Sequence, residues 1–201
     1  MGSEMCIRDR FRRSCTLESD MTGLVSILTL ERTRVSTLYI DGAEVGTCDS
    51  LCSLHRYDIS SYMTAGTHEI VIRVANVGYK TGGGHMTSPD TQTNWLGIVG
   101  KMNIEIYPKS YISDVRVIAS ADGSLSVRGT ASGAVNAVVT ATVTAPDGIR
   151  VLKANIIADG DTFEAEFRLE NAQLWDEFER NIYSLESVSY THLRAHETSL
   201  H

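Results

Sequence analysis

The sequence predicts an all-β protein made of antiparallel sandwiches, and three observations carry that prediction. Short apolar or alternating runs recur along most of the chain. Asp-Gly pairs, which suit tight connections between strands, separate many of them: Asp41-Gly42, Asp122-Gly123, Asp147-Gly148 and Asp159-Gly160. A helical period is missing between them. Asn171 to Asn181 is the one helix candidate, and it is short.

Taken in order, Phe11 to Thr16 reads as a strand and Glu18 to Gly23 as a turn. Leu24 to Leu30 is a second apolar strand. Val35 to Ile40 is a third, and it ends at Asp41-Gly42, after which Glu44 to Thr47 returns. Cys48 to Arg56 is a loop, followed by Tyr57 to Tyr62. Ala65-Gly66 turns the chain into His68 to Val74, where His68, Ile70, Ile72 and Val74 alternate with Glu69, Val71 and Arg73. That alternation marks a strand with one more polar face. Asn76 to Gly84, rich in glycine, leads into a polar loop, and Lys101 to Tyr107 closes the first unit. Beyond Pro108 five further runs follow: Tyr111 to Ser120, Ser124 to Thr130, Val135 to Thr144, Ile149 to Ile157 and Thr162 to Leu169. Strands so closely spaced indicate an antiparallel sandwich. The boundary between the units is expected near Pro108 to Tyr111.

Composition narrows the function classes. The 201 residues carry a formal net charge of −7, and 42% are hydrophobic, enough for a core. An acidic chain without a basic stripe is not expected to bind nucleic acid. No apolar run reaches the ~18 residues that a membrane span needs. Cys15, Cys48 and Cys52 make neither a disulfide framework nor a zinc pattern, so neither metal nor cofactor is expected.

Both ends read as something other than protein. Met5-Cys-Ile-Arg-Asp9 can be encoded as ATG TGT ATA AGA GAC. The reverse complement of that string encodes Val-Ser-Tyr-Thr-His, which is the run from Val188 to His192. The match resembles translated sequencing adaptor on both flanks. Residues 1–10 and 187–201 are therefore set aside from fold reasoning. What remains is an expected first domain over 11–108 and a second over 109–186.

The stretch from His85 to Gly100 holds the candidate site: His85-Met-Thr-Ser-Pro-Asp-Thr-Gln-Thr-Asn-Trp-Leu-Gly-Ile-Val-Gly100. His85, Asp90, Gln92 and Asn94 supply donors and acceptors suited to a hydroxyl-rich ligand, and Trp95 supplies a flat apolar face. The loop runs straight into a strand, which stiffens one end. The competing reading is an ordinary loop capped by a core tryptophan.

Four passages, in order across nearly all of residues 11–186, resemble glycoside hydrolase family 2, the group of β-galactosidases, β-glucuronidases and β-mannosidases. They are Leu30-Glu-Arg-Thr33 with Ser36 to Gly46; His55-Arg-Tyr-Asp-Ile-Ser60 with Gly66 to Asn76; Gln92-Thr-Asn-Trp-Leu-Gly-Ile-Val-Gly100; and Leu174-Trp-Asp176 with Ile182-Tyr-Ser-Leu185. The resemblance implies a jelly-roll, galactose-binding-like sandwich, incomplete at its start, then an immunoglobulin-like sandwich, incomplete at its end. It implies that a catalytic barrel carrying two glutamates belongs to the parent chain, with the carboxyls about 5 Å apart for retaining chemistry. The chain alone is then expected to have no hydrolase activity. Its partners are a carbohydrate and that missing barrel, and a periplasmic or extracellular parent is compatible with the resemblance.

By position, the family's sugar-contacting loop falls on 82–94. Asp90 is the first candidate contact, although it lies five residues before Trp95 where the family's acid usually lies about four before its aromatic. Asn94 fits the motif directly; Gln92, His85 and Trp95 complete the set. His55 is expected to be structural, Asp58 a turn residue, Glu164 and Glu166 a solvated face, and Trp175 and Tyr183 either core or a seam toward the barrel. Two rival readings stand beside the glycosidase: an autonomous carbohydrate-binding module, and a structural pair of sandwiches.

Overall fold

Among the described residues, thirteen strands and one short 3-10 turn account for the regular structure of this computed structural model. It describes residues 8–78, 97–133 and 136–190. The chain divides into two units between Pro108 and Lys109.

In the first unit β1 (Arg8–Leu17), β2 (Val25–Leu30), β3 (Val35–Ile40), β4 (Ala43–Cys48), β5 (His55–Asp58), β6 (Gly66–Ala75) and β7 (Met102–Tyr107) form two antiparallel sheets. Their orders are β1-β6-β3-β4 and β5-β2-β7. Apolar residues of both sheets meet in one core: Leu28, Leu30, Leu38, Ile40, Tyr57, Ile59, Met63, Ile72 and Val74. Strand β3 is interior to its sheet, flanked by β4 and β6. Its β-branched and apolar residues are buried at every position but Tyr39. Burying a side chain such as Leu38 contributes about 1.5–3 kcal/mol relative to leaving it in water. Asp41 and Gly42 both take positive φ (51° and 82°), as a two-residue hairpin loop with the twist of its strands requires.

The second unit contains β8 (Tyr111–Ala119), β9 (Ser124–Ser132), β10 (Val138–Thr144), β11 (Val151–Ile157), β12 (Thr162–Arg168) and β13 (Ser184–Tyr190). The sheets are β12-β9-β8 and β11-β10-β13. Burial alternates residue by residue along β10 and β12. Val127, Val139, Val143, Phe163 and Phe167 fill the space between the sheets. The expected class, an all-β jelly-roll sandwich followed by an immunoglobulin-like one, is the class observed.

Several details differ from the sequence reading. No helix forms over 171–181. The Asp176 carboxylate accepts the N–H groups of Phe178 (2.8 Å) and Glu179 (2.6 Å), and a side chain used this way competes with a helical ladder. The start of β11 moves from Ile149 to Val151, because Asp147 Oδ1 takes the N–H groups of Ile149 and Arg150 into its turn. Trp175 is not in the core: it is 64% exposed. Tyr183, in contrast, packs half-buried against the core. Residues 8–10 and 187–190, set aside above, lie in β1 and β13, since backbone pairing asks only for an extended chain.

Candidate functional site

His85, Asp90, Gln92, Asn94 and Trp95 all lie outside the described residues. What the structure describes is the backbone on either side of them, up to residue 78 and from Gly97. Strand β6 ends at Ala75, which pairs with Val35 at the start of β3. On the return leg, the Gly97 carbonyl accepts a hydrogen bond from Thr33 Oγ1 at 3.1 Å. Val99 N–H then donates to Arg32 O (3.0 Å), Gly100 N–H to Glu31 O (3.1 Å), and Glu31 N–H to Lys101 O (2.8 Å). The Glu31 side chain accepts from the N–H of Lys101 at 2.9 Å. Both legs of the 76–96 segment therefore stand on the single turn at 31–35.

The second half of that turn is buried although polar: Thr33 and Arg34 are buried, Glu31 is half-buried, and Arg32, which is exposed, takes a φ of 49°. Anchors of this kind escape a search for ligand-binding side chains. The available signal was the run Leu30-Glu-Arg-Thr33, a polar stretch pressed between two apolar strands.

Beneath the first unit's core lies a polar cluster centred on Ser36. His55, fully buried, has Nδ1 2.6 Å from Ser36 Oγ and Nε2 2.6 Å from the Ser50 carbonyl. A carbonyl can only accept, so Nε2 donates; in the neutral ring Nδ1 then accepts from the serine hydroxyl. Tyr57 Oη donates to the Ser36 carbonyl (2.8 Å) and lies 2.6 Å from Ser36 Oγ. Burial pushes the Tyr57 phenol's pKa up. His55 is thus a structural tie between β3, β5 and the loop at Ser50, as the sequence reading expected. It is not part of a nucleophile–base set.

The other acids sort the same way. Asp58 Oδ1 accepts from both the N–H and the hydroxyl of Ser60, closing a turn. Glu164 and Glu166 are exposed on β12, and Glu164 pairs with Arg128 at 2.6 Å. Four carboxylates held below their ordinary pKa, Asp20, Asp122, Asp147 and Asp176, cap turns. Asp122 is lowered first by the Ser124 hydroxyl and Asp147 first by the Ile149 N–H. Such shifts often mark active sites; in these four the hydroxyl or N–H groups of the next few residues are the main cause.

Between the two sheets of the first unit is a gap of about 140 Å³, lined by Leu17, Met21, Ile40, Ile59, Met63 and Ile104 among others. Walls this apolar give a sugar's hydroxyls almost nothing to bond to. Among the described residues no cluster of three or more His, Cys, Asp or Glu side chains could hold a metal ion. No described helix is long and apolar enough to cross a membrane.

No protein-family model matches the chain. No curated protein matches it either. Solved structures do. The β-glucuronidase of Bifidobacterium dentium, in complex with coumarin-3-O-glucuronide, is similar over 90% of this chain and 36% of its own, with a TM-score of 0.72 at 16% identity. A Bacteroides uniformis β-glucuronidase gives a TM-score of 0.70 at 20% identity, over 90% of this chain and 24% of its own. A β-D-mannosidase from Dictyoglomus thermophilum gives 0.70 at 16% identity, over 90% and 27%. The chain spans little more than a third of the length of these structures, at most. Its two sandwiches have the all-β fold that these β-glucuronidases and this β-mannosidase carry over part of their length.

Proposed function

We propose that this chain is the non-catalytic front part of a family-2-type glycoside hydrolase, an enzyme that hydrolyses O-glycosidic bonds in carbohydrates. The observation that carries the reading is the likeness over 90% of the chain to parts of glycosidases, 24% of one and 36% of another. The four sequence passages fall in the family's order along the same span. In this reading the loop at 82–94 reaches the sugar: Asp90 accepts from two hydroxyls, Asn94 and Gln92 donate and accept, and His85 and Trp95 border the ligand. The clamp of both loop legs on the 31–35 turn supports it, because a binding loop works when its ends are stiff.

Bond cleavage in this reading belongs to a barrel of the parent protein, with an acid/base glutamate and a nucleophilic glutamate. Leu174, Trp175, Phe178 and Ile182, all more than half exposed on an irregular segment, support a packing role toward the rest of the parent. The segment is pinned: Gln173 N–H donates to Tyr183 Oη at 2.8 Å and Asn181 Nδ2 to Leu174 O at 2.9 Å. The test is an assay of the chain with aryl β-glucuronides, β-mannosides and β-galactosides, paired with calorimetry on the same sugars. We expect no turnover and at most weak binding. Turnover would overturn the non-catalytic assignment, and micromolar binding would favour an autonomous carbohydrate-binding module.

A further inference from the structure

We infer that the open edge of β8 is a homodimer interface, in which β8 pairs antiparallel with β8 of a second copy about a two-fold axis at Val115. The inference is independent of the glycosidase reading. Strand β8 bonds to β9 on one side and forms the edge of its sheet on the other. An edge of this kind presents unpaired N–H and C=O groups to any extended chain. Its side chains lack cover as well: Val115, Val117 and Ile118 are 40%, 49% and 45% exposed. Val117 lies directly opposite Val127, which is fully buried, so Val117 is on the core face and still half open to water.

Charge selects the occupant. One row runs across the outer face of the sheet: Glu164 opposite Arg128, then Arg128 opposite Arg116. Glu164 neutralises Arg128, with Oε1 2.6 Å from Nη2 and 2.7 Å from Nε. Arg116 is left beside a like charge, and it has no ion-pair partner among the described residues; the same holds for Asp114. Like charges directly opposite on a sheet are unfavourable, so the row needs a carboxylate on its open side.

A second copy supplies it. A two-fold axis normal to the sheet keeps both core faces on the same side, so pairing can shift only in steps that preserve the face. With the axis at Val115, Asp114 of each copy stands opposite Arg116 of the other, and Val115 meets Val115. The axis at Asp114 would set two carboxylates together, and at Arg116 two guanidinium groups. One of these three registers is complementary. Ser113 is the extra residue at the register shift between Ile112 and Asp114, so regular pairing in β8 begins at Asp114, and a ladder centred on Val115 runs from Asp114 to Arg116. A two-fold contact uses both edges and closes, so it does not propagate into fibres.

Sedimentation velocity on the whole chain tests this. The wild type should show a concentration-dependent monomer–dimer equilibrium that weakens with added salt. R116D and D114R should each raise the dimer Kd roughly tenfold or more, and D114R/R116D should restore it. Circular dichroism establishes that each variant is folded. Should a single reversal fail to fold, amide exchange in the wild type replaces it: protection along β8 should rise with protein concentration. A monomeric wild type overturns the proposal. So does a dimer indifferent to either reversal, a folded double variant that stays monomeric, or β8 exchange that ignores concentration.

Discussion

Removing the Tyr57 hydroxyl should weaken the first sandwich by more than the loss of an ordinary surface hydrogen bond. Tyr57 is 5% exposed, and its Oη bonds the Ser36 carbonyl at 2.8 Å and faces Ser36 Oγ at 2.6 Å. A net hydrogen bond contributes about 0.5–1.5 kcal/mol, and a buried group left unsatisfied costs about 1–3 kcal/mol. Tyr57→Phe should therefore cost about 1–3 kcal/mol. Ser36→Ala should cost at least as much, since it orphans His55 Nδ1 and one side of Tyr57 Oη together. The double variant should cost less than the sum by about 1 kcal/mol, because each single change already breaks the shared contact. Native-state hydrogen exchange at the amides of β3 and β5 reads the free energies where the network sits. Costs that add within about 0.3–0.5 kcal/mol would refute the claim that these side chains act as one unit.

Two further outcomes follow from local geometry. Gly123 has a φ of +86°, and a Cβ there would fall 2.2 Å from the Leu169 carbonyl oxygen, so Gly123→Ala should destabilise the second unit by about 1–3 kcal/mol; an unchanged thermal transition would contradict this. His68 Nδ1 lies 2.6 Å from Asp41 Oδ2; that bond first, then the Thr64 carbonyl, raises the His68 pKa, while His68 first and the Glu69 N–H next lower that of Asp41. The raised histidine contributes fully below its ordinary value of about 6.5 and is lost as pH rises through its folded value; the lowered aspartate contributes above its ordinary range and is lost as pH falls through its folded value. The hairpin tip should thus be firmest between those limits. A proton NMR titration should place His68 above the ordinary value in the wild type and lower in Asp41→Asn, where the Thr64 carbonyl bond remains.

The strands were legible where local chemistry and burial agreed. Val35 to Ile40 is β-branched and apolar, ends on Asp41-Gly42, and forms β3 with those bounds. The alternation of Phe163, Ala165 and Phe167 with Glu164 and Glu166 became β12, which ends one residue before the expected Leu169. What escaped was set by distant partners. Asp176 holds a turn where spacing offered a helix, and Trp175 stays in water because none of the described residues of the second unit closes over it. β13 extends to Tyr190 because β10 offers a full-length partner, though Ser187 and Ser189 thereby bury hydroxyls that have no bond. No local pattern would choose serine for such positions. The candidate site residues at 85–95 stood out by composition and lie outside the described residues, whereas the anchors Glu31 and Thr33 are polar groups whose role depends on a contact more than sixty residues away in sequence.

The shared footing of the loop at 31–35 also makes it a natural graft point. Because Ala75 and Gly97 are fixed to the same turn, the frame meets any insert through two neighbouring attachment points. Exchanging that insert for one twice as long would add only about 0.6 kcal/mol of closure entropy. New recognition could therefore be acquired by transplanting an arm, with the sheets that carry it left as they are.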